Sequence, residues 1–157
     1  RIMAEKIKPH IMIVEGRYYE RIQDHLLEGA VKMLDELGAS HETYSVPGAF
    51  EIPAAIAFAA KPDGVTASGY QYDGFIALGC VIRGETSHYE HICGEVSRGL
   101  MDLSLRHSLA IGFGLLTCEN REQALVRAAV NRGNKGGDAA RTCIRMYETK
   151  RFFRMGS

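Results

Sequence analysis

The sequence predicts an α/β fold, a three-layer αβα sandwich in which a four-stranded parallel sheet lies between two layers of helices. Three observations lead there. Short strand-like runs and stretches of helical periodicity alternate from one end of the chain to the other. The run Phe75-Ile76-Ala77-Leu78 is apolar without a break, as in a strand covered on both faces. The chain has 157 residues, 46% of them hydrophobic and 24% charged, which is enough to build one core and too little for two ordinary domains, so residues 1–157 are taken as a single domain.

His10 to Val14 is a β-branched apolar run ended by Gly16. From about Tyr19 to Leu37, the residues Ile22, Leu26, Leu27, Ala30, Leu34 and Leu37 share one helical face, and Gly38 is a stop. Glu42 to Val46 reads as the second strand and Val46-Pro47-Gly48 as a turn. Pro53 stands where a first helical turn tolerates it, ahead of Ala54 to Ala60. Lys61 to Tyr72 has Pro62, several small residues and no periodicity, so a surface loop is expected.

Gly74 to Gly79 is the third strand. Ser87-x-x-Glu90 has the form of a capping box, and behind it Tyr89, Ile92, Cys93, Val96, Leu100 and Leu103 fall on one helical face that should end near Arg106. Leu109 to Leu116 is the fourth strand. Asn120-x-x-Gln123 opens a helix with Ala124, Leu125 and Ala128 inward, interrupted by Gly133. After a loop Gly133-Asn134-Lys135-Gly136-Gly137, Asp138 is expected to cap a last helix with Ala140, Cys143, Ile144 and Tyr147 facing the core. The strand order expected is 2-1-3-4.

Nineteen basic residues balance nineteen acidic ones, so no overall field draws the protein to nucleic acid or to an anionic membrane. The basic tail Lys150-Arg151-Phe152-Phe153-Arg154 is a solvated helix terminus on this reading. Cys80, Cys93, Cys118 and Cys143 show no metal-like spacing, so reduced thiols, three of them in apolar stretches, are expected. The opening residues hold no apolar segment long enough for a signal peptide or a membrane span, which makes the cytoplasm the expected compartment.

In a parallel sheet ligands bind beyond the carboxyl ends of the strands. The residues that matter should then lie just after each strand, and four such loops are furnished for it: Gly16-Arg17-Tyr18, Val46 to Glu51, Gly79 to His88, and Phe113-Gly114. Each has glycine for close backbone approach, and three have an aromatic ring able to stack on a flat heterocycle. Gly84-Glu85-Thr86-Ser87 runs into a helix start whose N–H groups suit an anion, although most such starts bind only water or their own caps. His88, in the first turn, could move a proton near neutral pH; a capping or surface histidine is the plainer account. His91 nearby raises a metal reading that lacks a third ligand. Arg127 and Lys135 bracket the glycine segment and could neutralise a phosphate, or simply be solvated. Glu51 stands at a helix start, where capping alone would account for it.

Four spaced motifs resemble the lumazine synthase family: Val46-Pro47-Gly48-Ala49-Phe50-Glu51-Ile52-Pro53, Leu78 through Tyr89, Thr117-Cys118-Glu119-Asn120-x-x-Gln123-Ala124, and Asn134-Lys135-Gly136-Gly137. The likeness runs from about His10 to Met146. It implies a flavodoxin-like fold and the condensation of 5-amino-6-(D-ribitylamino)uracil with 3,4-dihydroxy-2-butanone 4-phosphate. The products are 6,7-dimethyl-8-ribityllumazine, phosphate and water, and no cofactor or metal is implied.

By the same resemblance Tyr18 and Phe113 form the aromatic pocket, Phe113 coming from a neighbouring subunit. Ala49, Phe50, Glu51 and the strand end Cys80-Val81-Ile82 would hold the ribityl chain and the pyrimidine edge. Arg127 and the N–H groups of Glu85 and Thr86 would bind phosphate, with Lys135 close by and His88 as the proton carrier. The family implies a homo-oligomer, a pentamer or a multiple of pentamers with shared active sites. Cys80 stands where a threonine is common in the family, Tyr18 where phenylalanine is, and Val126 where relatives often carry glutamate. Two other readings compete: a non-catalytic flavin or lumazine carrier, and a flavodoxin-like electron carrier. The second would need a Ser- and Thr-rich phosphate loop after the first strand, where this chain has Glu15-Gly16-Arg17-Tyr18.

Overall fold

The computed structural model describes residues 8–60, 71–84 and 88–154. The elements run β1 (His10–Gly16), α1 (Glu20–Glu36), β2 (Ser40–Val46), a 3-10 turn (Ala49–Glu51) leading into α2 (Ile52–Ala59), β3 (Gly74–Ile82), α3 (His88–His107), β4 (Ile111–Cys118), α4 (Arg121–Ala128) and α5 (Lys135–Arg154). The four strands are parallel and ordered β2-β1-β3-β4, as expected. This is a single α/β domain.

Both faces of the sheet are buried, and β1 shows the period of two. Ile11 and Ile13 point into a cluster with Leu26 and Leu34 of α1, Ala124 of α4 and Cys143 of α5. Met12 and Val14 point the other way, to Ile52 and Ile56 of α2 and to Val96 and Leu100 of α3. β2 is an edge strand, mostly polar and partly exposed.

Several boundaries differ from the sequence expectations. β1, β3 and β4 each extend two or three residues past their expected ends, because ladder pairing to a neighbour outlasts the apolar run. The expected face of α1 overshoots: Leu37 is 40% exposed beyond the last helical residue, and Gly38 follows with φ 75°. On α3 only Val96 and Leu100 are fully buried. Ser87, and most of the expected loop from Lys61 to Tyr72, lie outside the described residues.

The largest correction concerns the last helix. It starts at Lys135, so Gly136 and Gly137 are helical, and Asp138 is inside the first turn instead of capping it. Asn134 takes the capping role: its Oδ1 accepts from the Gly137 N–H at 3.3 Å. Asn120 caps α4 as expected, accepting from the Gln123 N–H at 2.9 Å, while Gln123 Oε1 accepts from the Glu119 N–H at 2.9 Å, one residue earlier than the usual reciprocal bond. Among the described residues no helix is long and apolar enough to cross a membrane.

Candidate active site

β1 and β3 are neighbours, but their ends do not coincide. Their pairing stops at Glu15 opposite Leu78, while β3 continues to Ile82 paired only with β4. Residues 79–82 therefore overhang β1 and leave one backbone edge unmatched by β1. β1 and β3 also lead into opposite halves of the sheet, so the overhang lies at the switch point where open α/β sheets bind ligands.

A cavity of about 700 Å³ opens over this overhang. Cys80, Val81 and Ile82 form its floor, Gly48, Ala49, Phe50 and Glu51 one wall, Tyr18 and Tyr19 another, and His88 closes it from the first turn of α3. Eight of the residues singled out in the sequence thus meet at one place: Tyr18, Ala49, Phe50, Glu51, Cys80, Val81, Ile82 and His88. Tyr18 and Phe50 stand in solvent at the mouth, 73% and 56% exposed, as rings awaiting a flat partner would. Glu51 makes no side-chain cap hydrogen bond, so capping does not explain it.

The floor is electrically quiet. Burial, with the neighbouring Cys118 adding to it, pushes the Cys80 thiol up to about 12. Burial also raises the Tyr19 phenol above its ordinary value, with Cys80 and Tyr18 adding to it and Arg121 opposing. Both groups are neutral at pH 7; the other titratable side chains among the described lining residues are Tyr18, Glu51 and His88. Among the described residues no group of three His, Cys, Asp or Glu side chains could hold a metal ion.

The other singled-out residues lie elsewhere. Phe113 and Gly114 are inside edge strand β4, not in a loop after it, and Phe113 is 39% exposed. Arg127 is in the last turn of α4, donating from Nη1 to the Gln123 carbonyl at 3.2 Å. Its backbone lies against Gly133, where a Cβ would come within 2.7 Å of the Arg127 Cα; Lys135 is the first residue of α5. Phe113, Gly114, Arg127 and Lys135 are not among the residues that line this cavity. Glu85 and Thr86 lie outside the described residues.

Sequence reasoning missed Tyr19, which packs edge to face on Tyr18 with 4.9 Å between centroids; its place at the mouth of α1 hid it as a helix-start residue. It also missed Arg83, which pairs with Glu90 and, at 2.9 Å, with Glu119, and lies 4.3 Å over the Tyr89 ring. These exposed pairs contribute little stability, but they join the end of β3 to the first turn of α3 that carries His88.

A family model described as 6,7-dimethyl-8-ribityllumazine synthase matches residues 8–151. The chain is 53% identical over 146 residues to 6,7-dimethyl-8-ribityllumazine synthase 1 of Rhizobium meliloti, covering 92% of this chain and 94% of that one. It is 53% identical over 144 residues to the 6,7-dimethyl-8-ribityllumazine synthase of Agrobacterium fabrum, covering 92% and 96%. The protein of that name from Afipia carboxidovorans is 54% identical over 141 residues, covering 90% and 85%.

Proposed function

The chain belongs to the 6,7-dimethyl-8-ribityllumazine synthase family, and from that membership we propose how its cavity serves the reaction. The protein is a transferase of riboflavin biosynthesis: it condenses 5-amino-6-(D-ribitylamino)uracil with 3,4-dihydroxy-2-butanone 4-phosphate, releasing phosphate and water. The single observation that carries the site assignment is the overhang of β3 beyond β1, rimmed by Tyr18, Phe50, Glu51 and His88.

In this reading the pyrimidine lies over Cys80, Val81 and Ile82, where unpaired strand backbone can match its edge as a further strand would. Tyr18 and Phe50 stack on the ring, and Ala49 and Glu51 receive the ribityl chain. His88 carries protons as the amine adds to the ketone and as phosphate leaves. An amine and a ketone react readily once held together, so the protein's main contribution is positioning.

The phosphate half of the site is Arg127 and Lys135 with the backbone of Glu85 and Thr86. Arg127 and Lys135 sit apart from the cavity of their own chain, and Phe113 is on an exposed sheet edge. Their placement favours a second copy as the source of Phe113, Arg127 and Lys135, in a homo-oligomer, a pentamer or a multiple of it, whose sites are shared. The four unpaired thiols suit a cytoplasmic enzyme. The test is to mix the purified protein with both substrates and follow lumazine absorbance. Formation no faster than in a control without protein would favour a binding protein that lacks turnover.

A further inference from the structure

We propose that Glu15 is a positioning residue whose buried carboxylate ties the loop of Tyr18 to the loop of Phe50 and sets the spacing of the two rings. The proposal rests on the reading above, in which those rings hold the heterocycle.

Glu15 is the next-to-last residue of β1 and only 3% exposed, a poor place for a charge unless its partners are worth the desolvation. It has two, one in the Tyr18 loop and one at the end of the strand that leads to the Phe50 loop. Arg17 Nη1 donates to Oε1 at 2.6 Å, and Ser45 Oγ donates to Oε2 at 2.9 Å. Arg17 directly precedes Tyr18. Ser45, next to last in β2, leads through Val46-Pro47-Gly48 to Phe50.

The backbone makes the same connection. The Arg17 N–H donates to the Val46 carbonyl at 3.2 Å, and Gly16 lies so close to Gly48 that a Cβ on Gly16 would be 2.6 Å from the Gly48 carbonyl carbon. The rest of the Arg17 guanidinium is taken up by Glu20, at 2.8 Å, and by Asp24, both on α1. Although burial opposes it, the hydrogen bonds that Arg17 donates to Glu20, Asp24 and Glu15 hold its pKa above its ordinary value, so the guanidinium stays charged. Tyr18 and Phe50 themselves are mostly in solvent, so their positions come from their loops. An apolar residue at position 15 would fill the same space and join nothing.

The test measures binding of the product, 6,7-dimethyl-8-ribityllumazine, by its fluorescence, together with KM for each substrate and stability in urea. Glu15→Gln and Ser45→Ala should each weaken lumazine binding by about five- to tenfold, the size expected when a charge-assisted hydrogen bond is lost. The double variant should bind no worse than Glu15→Gln alone, since both changes cut one link. KM should rise for the ribitylaminouracil and hold for the butanone phosphate. Ser45→Thr, which keeps the hydroxyl, should restore binding. Should Glu15→Gln not fold, the pair Ser45→Ala and Ser45→Thr decides the matter, because Ser45 is at the surface. Variants that bind lumazine as tightly as the parent, or that lose only urea stability, overturn the positioning role while leaving the pocket reading intact. A parent protein that does not bind lumazine overturns both.

Discussion

Gly136 of α5 rests directly on Leu26 of α1: a Cβ built on Gly136 would fall 2.0 Å from the Leu26 carbonyl oxygen. Replacing a helical glycine with alanine normally gains about 1 kcal/mol of helix propensity. Here the methyl would collide with backbone, which cannot rotate aside, and overpacking of that kind costs about 1–3 kcal/mol or more. Gly136→Ala should therefore destabilise the protein, read as a lower urea midpoint. An unchanged or higher midpoint would mean that the two helices can part without loss.

Phe50 and Arg127 belong to different halves of the proposed site, and one chain does not bring them together. Phe50→Ala and Arg127→Ala should each be nearly inactive alone, the second mainly through a raised KM for the butanone phosphate. Unfolded together in equal amounts and refolded, they should recover about a quarter of the parent activity, the share of sites that random assembly of a ring builds from two intact halves. No recovery in well-formed mixed oligomers would place the phosphate contact within a single chain.

His88 closes the cavity from the first turn of α3. If it only carries protons while the cavity holds the reactants, His88→Ala should lower kcat by roughly 100-fold or less. A folded variant with no activity above the uncatalysed rate would show that the imidazole does more.

Burial pushes the Cys80 and Cys143 thiols up to about 12. At pH 8 the Cys80 thiolate should be about a thousandfold scarcer than for an ordinary thiol, so iodoacetamide should leave it unmodified while labelling small thiols quickly, as mass spectrometry would record.

The same shifts set an alkaline limit. Both folded values lie above those of the unfolded chain, so the stabilisation is whole below pH about 9 and is lost as pH rises from there toward 12. The slope is at most about 1.4 kcal/mol per pH unit for each thiol. Cys143→Ala should reduce the slope of urea stability against pH above 9; an unaltered slope would assign alkaline unfolding to other groups.

Much of this molecule was determined by local chemistry that the sequence carries on its face. Apolar runs and the helical period of 3.6 located the strands and helices, Asn120 and Gly38 marked ends, and most of the residues that line the cavity were named before the fold because they stand at or just beyond expected strand ends. Tertiary structure decided what local preference misread. Gly136 and Gly137 look like a loop because glycine disfavours a helix, yet at Gly136 α5 approaches α1 too closely for a side chain, at Gly137 the Asn134 side chain fills the space, and Asn134 caps the helix four residues before Asp138. Phe113 stands mid-strand at a sheet edge and Arg127 apart from the cavity, placements that no local pattern marked. Glu15 reads as a polar residue just after a strand; only folding brings Arg17 and Ser45 to it, because a carboxylate's partners are set by where strands end in space.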